Sequence, residues 1–256
     1  SYRNAVMVYK EKGGQHYPLI PVILKKDLLR LLSENGLNSE FDKTKIELDM
    51  AAYKPVEINS QFGELVVILN NGLAPIKSEA ALPIFSTEVQ QNLRIAFPVY
   101  RDVKDILYKP AIEVDQQQMA MEMVEDIDAL ARYSLNQKMP GIRARATARA
   151  VVKYNPQQSQ QDGSFAGLLL TVTNLVTERA DTGSWTALPQ AIQLQRIRLP
   201  VGEHQMDIQM KNSAGKIVDV MSESVIIKSK RSSFVIKHWN TPRPNLPMVQ
   251  VVHKSK

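Results

Sequence analysis

The sequence contains no cysteine, few aromatic residues and no apolar run of membrane-spanning length. The lack of cysteine among 256 residues excludes disulfides, cysteine-ligated metal centres and thiol nucleophiles. The longest nearly continuous apolar stretch, 165–176, is about twelve residues long, well short of the ~20 that a bilayer-spanning helix needs. Because 44% of the residues are hydrophobic and only 11 are glycine, the chain can still bury a sizeable core.

The motifs of the common enzyme classes are also missing. None of the four histidines belongs to an H-E-x-x-H or similar helical metal-binding spacing, and His204 falls in a predicted turn. If this segment were a strand, His204 and Asp207 would point to opposite faces. The sequence has no G-x-S-x-G, phosphate-loop or G-x-G-x-x-G motif. We therefore predict no catalytic residue, no cofactor and no metal site.

One group of carboxylates has an alternative interpretation. Glu122, Glu125 and Asp126 would share one face if residues 116–180 were helical, where they could bind a divalent cation. A charged run beside an apolar stripe is more often a solvated helix face, which is the interpretation that we favour.

Residues 1–54 are the first of three predicted regions. Apolar residues repeat at helical spacing in three short stretches, the clearest of which runs from Ile20 to Leu32 and ends before the cap signal Asn35-Gly36. Short helices joined by tight turns are typical of α-solenoids. This region is predicted to be a fragment of a tetratricopeptide-like repeat.

Residues 55–182 are predicted to mix strands and helices. Three extended stretches, 63–69, 76–85 and 93–99, are rich in β-forming residues and bounded by turn residues. From 116 to 180 the apolar spacing becomes helical, with a break predicted at Pro140-Gly141 and a final helix whose apolar side includes 165–176.

Residues 183–256 are predicted to form an antiparallel β-sandwich. Turn signals at 200–204 and 212–215 separate stretches of alternating apolar residues. The predicted strands are 192–199, 206–210, 218–228 and 232–239, and 248–252 is a candidate for a further edge strand.

The positive charge of the chain is concentrated in this last region. Residues 183–256 hold 11 Lys and Arg against 4 Asp and Glu, whereas residues 1–182 hold 21 against 22. A basic module fits an anionic surface, and with only three aromatic residues beside the charge we do not expect nucleic acid. The candidate partner-binding residues are Lys228, Lys230, Arg231, Lys237 and Trp185. In a strand, Lys228 and Lys230 would share one face. The alternatives are a solvated strand face for the lysines, and for Trp185 a contact between two domains.

Several segments together resemble an uncharacterised family of bacterial envelope lipoproteins. In that family a tetratricopeptide-like region precedes the body of the protein. The segments are LNNGLAPIK at 69–77, IAFPVY at 95–100, ARATARA at 144–150, DTGSWTALP at 181–189 and RIRLPVG at 196–202.

The resemblance implies a location more than an activity. It implies a Gram-negative periplasm and anchoring to the outer membrane through a lipidated cysteine upstream of Ser1, which fits a chain that opens without methionine. Genes of the family often accompany a penicillin-binding-protein activator lipoprotein, which implies a role near cell-wall synthesis. No catalytic residue of the family can be placed on these segments.

We therefore predict an α+β chain with a helical N-terminal remnant, a mixed α/β central region and a C-terminal antiparallel β-sandwich. The predicted function is that of a non-enzymatic structural or adaptor protein. It would bind envelope proteins in a large periplasmic or outer-membrane assembly for cell-wall synthesis, flagellar assembly or secretion. The alternatives are a binder of an anionic ligand, such as peptidoglycan or lipid headgroups, and a cryptic hydrolase.

Overall fold

The computed structural model describes residues 2–12, 20–55, 59–86, 91–100, 108–154, 182–185 and 187–240. Helices and strands both occur in these ranges, and strands dominate towards the C-terminus, so the predicted α+β class is confirmed. The helices are α1 (Tyr2–Lys12), α2 (Val22–Glu34), α3 (Asn38–Glu47) and α4 (Ile127–Tyr154).

Two four-stranded sheets form a sandwich. Sheet I has the order β10-β1-β7-β6, in which β10 and β1 are parallel and the other pairs antiparallel. Its strands are β1 (Phe62–Asn71), β6 (Glu122–Asp126), β7 (Ala191–Pro200) and β10 (Ser232–Trp239). Sheet II is antiparallel throughout, in the order β5-β4-β8-β9. Its strands are β4 (Lys109–Val114), β5 (Gln117–Ala120), β8 (Gly202–Lys211) and β9 (Ile217–Ile227).

The main hydrophobic core lies between these sheets. Alternating residues of β1 and β7 face alternating residues of β4, β8 and β9, as expected for strands with one buried side. Trp239 closes one end of the core, where its ring packs edge-on against Tyr108 and its Nε1 donates to Asp219 at 2.6 Å. The fully buried side chains include Leu65, Val67, Leu69, Ile112, Met206, Ile208 and Met210.

A second, smaller layer is formed by segments that lie between strands of the sandwich in the sequence. The antiparallel hairpin of β2 (Lys77–Ser86) and β3 (Gln91–Tyr100) follows β1, and α4 packs along β3. Ile95, Phe97 and Ala146 form its buried cluster. We call β2, β3 and α4 the hairpin layer.

The N-terminal helices pack together and rest on the outer face of sheet I. Val6, Leu28, Leu32 and Leu48 form their common core, which confirms three helices in this region. The tetratricopeptide-like assignment remains a prediction, because three short helices do not establish a repeat.

Residues 116–126, predicted as helix, form β5 and β6 instead. Met119, Met123 and Ile127 have helical spacing, but the first two lie on separate short strands joined at the buried Met121. The predicted break at Pro140 is also wrong, because α4 runs through it, although proline cannot donate the hydrogen bond of a helical N–H. The predicted helix over 165–176 and the edge strand at 248–252 lie outside the described residues.

The strand pairing crosses the predicted boundary between residues 182 and 183. Sheet I pairs β1 with β7 and β10, and sheet II pairs β4 with β8. The sandwich therefore draws strands from both predicted regions, and the order of its strands is not that of a separate C-terminal antiparallel domain.

Candidate functional site

Three of the predicted partner-binding residues lie in the tight turn between β9 and β10. Lys228, Ser229, Lys230 and Arg231, which we call the basic turn, are all exposed. Two main-chain hydrogen bonds of 2.9 Å fix the turn to β1, one from Lys230 N to Phe62 O and one from Glu64 N to Arg231 O. The prediction that Lys228 and Lys230 share one face of a strand is therefore wrong. Both residues lie on a turn whose backbone is bonded to β1.

Gly63 explains how the basic turn can lie so close to β1. A Cβ atom at this position would lie 2.9 Å from the Arg231 carbonyl oxygen and even closer to that of Lys228. Real Cβ atoms do not approach backbone oxygens so closely, so any larger residue has to displace the turn. Lys230 adds a local constraint, because its φ of 53° is in the left-handed region that side chains other than glycine rarely adopt.

The cations of the basic turn have no ionic partner in the described part of the chain. The ion pairs found there involve other residues, and Arg196 and Lys237 are among the cations that are neutralised. Arg198 adds a further cation near this end of the sandwich, where its guanidinium lies 4.2 Å from the ring centre of Phe62. The result is a cationic surface at one end of the sandwich.

Lys237 and Trp185 lie away from the basic turn. The Lys237 ammonium forms an ion pair with Glu223 of β9, so this lysine bridges the two sheets. Trp185 lies near the opposite end of β1, where Lys77 N donates to Ser184 Oγ at 2.9 Å. Its side chain is 79% exposed, so it is not the buried anchor between domains that the sequence also allowed.

The acidic residues of the predicted helix face have separate local contacts. The Glu122 carboxylate accepts the N–H group of Val22 and, at 2.8 Å, that of Ile23, both at the start of α2. Asp126 accepts Ala129 N at 2.9 Å and caps α4. Glu125 lies on β6 with them. Among the described residues, no group of three or more side chains is arranged to hold a metal ion.

A cleft of about 240 Å³ separates α2 from sheet I. Arg196 lies at its centre, with Nε 3.0 Å from Asp27 Oδ1 and Nη1 2.5 Å from Glu64 Oε2. Both carboxylates are buried, and Arg30 lies 3.8 Å from Asp27 on the other side. Since the buried charges compensate one another, this cleft fastens the helices to the sheet and is a weak candidate for an anionic ligand.

His204 lies on β8 and not in the predicted turn, and it contacts a carboxylate that the sequence did not suggest. Its Nδ1 is 2.8 Å from Asp115 Oδ2, and its Nε2 is 2.9 Å from the Pro200 carbonyl oxygen. Burial alone would lower the pKa of His204, but the hydrogen bonds and the negative charge of Asp115 outweigh it and raise the pKa. Because both partners are acceptors, the ring can donate to both of them when it is charged.

Sequence reasoning missed Arg198, Phe234 and Ile236. Alternation along β10 places Phe234 and Ile236 on one face, and that signal is in the sequence. The opposite face of β10, which carries Val235 and Trp239, packs into the core between the two sheets. In the structure both side chains are exposed, by 65% and 58%.

No protein-family model, no curated protein and no solved structure matches this chain. None of the helices in the described ranges is long and apolar enough to cross a membrane.

Proposed function

We propose that this chain is a non-enzymatic adaptor of the Gram-negative cell envelope that binds other proteins through the basic turn. The observation that supports this function is the turn itself, in which three exposed cations with no ionic partner among the described residues stand on a backbone bonded to β1. A structural role within the chain would pair these charges, as it does for Arg196 and Lys237.

The fixed backbone favours a binding role on energetic grounds. Association costs less when the contacting segment is already ordered, because less conformational entropy is lost. Unpaired surface cations also accelerate encounter with an acidic partner and discriminate against basic ones. We therefore expect a salt-sensitive interaction with an acidic protein.

The envelope location depends on the resemblance of the sequence segments. Two of them, 69–77 and 181–189, meet where the sandwich joins the hairpin layer, with Ala74 N donating to Leu188 O at 2.8 Å. A main-chain hydrogen bond between two segments stabilises the fold and does not by itself indicate an active site. The resemblance thus supports a shared architecture and a lipid-anchored periplasmic location, in an assembly that includes a penicillin-binding-protein activator lipoprotein or a similar envelope protein.

The test is a pull-down from envelope extracts at low salt with two charge-reversal variants. The first is Lys228→Glu, Lys230→Glu, Arg231→Glu. The matched control, Lys109→Glu, Lys211→Glu, Lys216→Glu, makes the same change in net charge at the other end of the sandwich. We expect the first variant to lose acidic partners that the wild type and the control retain.

Two results would count against this function. Identical partners for the wild type and the basic-turn variant would exclude the turn as the contact. Binding of the wild type to anionic lipid vesicles or isolated peptidoglycan, without retention of any protein, would favour the anionic-ligand alternative instead.

A further inference from the structure

Strand β10 forms an edge of sheet I in the described part of the chain, and half of its main-chain groups turn away from that sheet. Glu64 N donates to Arg231 O, and Gly72 N donates to Trp239 O at 2.8 Å, so the odd-numbered residues of β10 face β1. Because successive peptide groups alternate along a strand, the even-numbered residues direct their N–H and C=O groups to the side of β10 on which no described strand pairs, which we call the free edge. These residues are Ser232, Phe234, Ile236 and His238.

The same residues expose an apolar surface along this edge. Phe234 is opposite Val66 of β1 and Ile236 is opposite Ile68, on the outer face of the sheet. Val66 is only 2% exposed, whereas Phe234 and Ile236 are mostly exposed. An exposed edge with apolar side chains is uncommon, since natural sheets protect such edges with charges, prolines or bulges. The one cation of β10, Lys237, is paired with Glu223.

The cations of the basic turn lie at the start of this edge. Arg231 directly precedes Ser232, and Lys228 and Lys230 belong to the same turn. A strand that pairs with β10 therefore meets hydrogen-bonding groups and apolar side chains along its length, and positive charge at one end.

We propose that an extended segment of an acidic partner protein adds as a strand to the free edge of β10. Its main chain bonds to the even-numbered residues, its alternating apolar side chains pack on Phe234 and Ile236, and its carboxylates contact the basic turn. This is recognition by strand addition, in which the main chain gives affinity and alternate side chains give specificity. The inference rests on the proposed function in one respect, namely that the basic turn meets an acidic protein.

Charge complementarity selects this occupant over a second copy of the chain. Pairing of β10 with β10 of another copy would satisfy the same main-chain groups, but β10 contains no carboxylate that could contact the basic turn. An acidic segment satisfies the main chain and the cations together.

The direct test is amide hydrogen exchange of the whole chain with and without a synthetic peptide. The probe is a short peptide in which threonine and valine alternate beside a run of aspartates, made with the aspartates at either end to allow both strand directions. In the free protein, the amides of Val235 and Lys237 should exchange slowly and those of Phe234 and Ile236 quickly. Binding of one probe should slow Phe234 and Ile236 by at least about tenfold.

A pair of variants separates this inference from the proposed function. Phe234→Thr, Ile236→Thr keeps the charges and the strand propensity, and we expect it to weaken probe binding by about tenfold or more. The matched control is Val218→Thr, Val220→Thr, which changes exposed residues on β9 and should bind as the wild type does. The charge-reversed basic turn should also weaken binding of the probe.

Two other outcomes would each overturn a part of this proposal. If neither probe binds, or if Phe234 and Ile236 keep exchanging quickly in the complex, strand addition is excluded, and the pull-down then decides the proposed function alone. If the charge-reversed variant binds the probe as tightly as the wild type, the acidic partner and the proposed role of the basic turn are both excluded.

Discussion

The sandwich and the hairpin layer bury their apolar residues in different ways. The sandwich core draws on strands far apart in sequence, such as β1 and β10, and many of its side chains are fully buried. The hairpin layer joins neighbouring strands to one helix around a small cluster that includes Phe97, and side chains such as Leu82 and Phe85 stay exposed. Long-range pairing thus makes the sandwich the cooperative unit, and we expect the hairpin layer to depend on it but not the reverse.

The largest expected effect comes from the sandwich core. Ile208 is fully buried between the two sheets, so Ile208→Ala should lower the free energy of unfolding by about 2–5 kcal/mol. Urea denaturation measures the loss. Ile226→Ala is the control, since its side chain is 64% exposed and should cost less than about 0.5 kcal/mol. Equal losses for the two variants would contradict the assigned core.

The next effect concerns the contact that positions the basic turn. Gly63→Ala should destabilise the sandwich by about 1–3 kcal/mol, because the added methyl group overlaps the carbonyl oxygens of Lys228 and Arg231. Gly141→Ala in α4 is the matched control. Its nearest neighbour is 3.9 Å away, so this change should stabilise the helix by about 0.5–1 kcal/mol. Unfolding curves in which both substitutions are neutral would contradict the close approach at Gly63.

A change in the hairpin layer should have a smaller effect on global unfolding. Phe97 packs on α4, with the Arg143 guanidinium 5.4 Å from its ring centre. We expect Phe97→Ala to accelerate amide exchange in β2 and β3 while it shifts the urea midpoint of the sandwich less than Ile208→Ala does. An equal shift would show that the two regions unfold as one unit.

The smallest expected effect is the pH dependence from His204. Its pKa in the folded chain is raised above the unfolded value of about 6.5. The pair with Asp115 therefore stabilises the fold fully below that pH and loses its contribution as the pH rises through the folded-state pKa. The thermal midpoint should fall over this interval, measured by circular dichroism.

Two histidine variants sharpen that test. His204→Gln removes the titrating ring and should flatten the dependence of the midpoint on pH above about 6.5. His238→Gln changes an exposed histidine that contacts Asn70, and it should leave the dependence in place. If His204→Gln keeps the full dependence, the contact with Asp115 is not its source.

The sequence predicted the local elements better than their pairing. Turn residues and alternation located β7 to β10 closely, because both signals are short-range. The parallel pairing of β1 with β10 left no such signal, since register depends on residues far apart in the chain. The strands β5 and β6 were missed because four or five residues are too few to distinguish a period of 2 from 3.6.

The candidate site was predictable to the same extent. Three cations within four residues indicated the basic turn, and charge alone was enough to find them. Lys237 carries the same charge, and only the position of Glu223 on the neighbouring strand shows that it is paired. The exposure of Phe234 and Ile236 depends on which face of β10 packs into the core between the two sheets, and alternation alone does not decide that.

Site-specific photocrosslinking in the native cells tests the central claim most directly. A photoreactive residue would replace Lys228 in the basic turn, Lys216 at the other end of the sandwich, or Leu82 in the hairpin layer, in three separate variants. We predict adducts with an acidic protein from position 228, and fewer adducts when high salt screens the charges in permeabilised cells. Adducts from position 216 or 82, with none from position 228, would contradict the account.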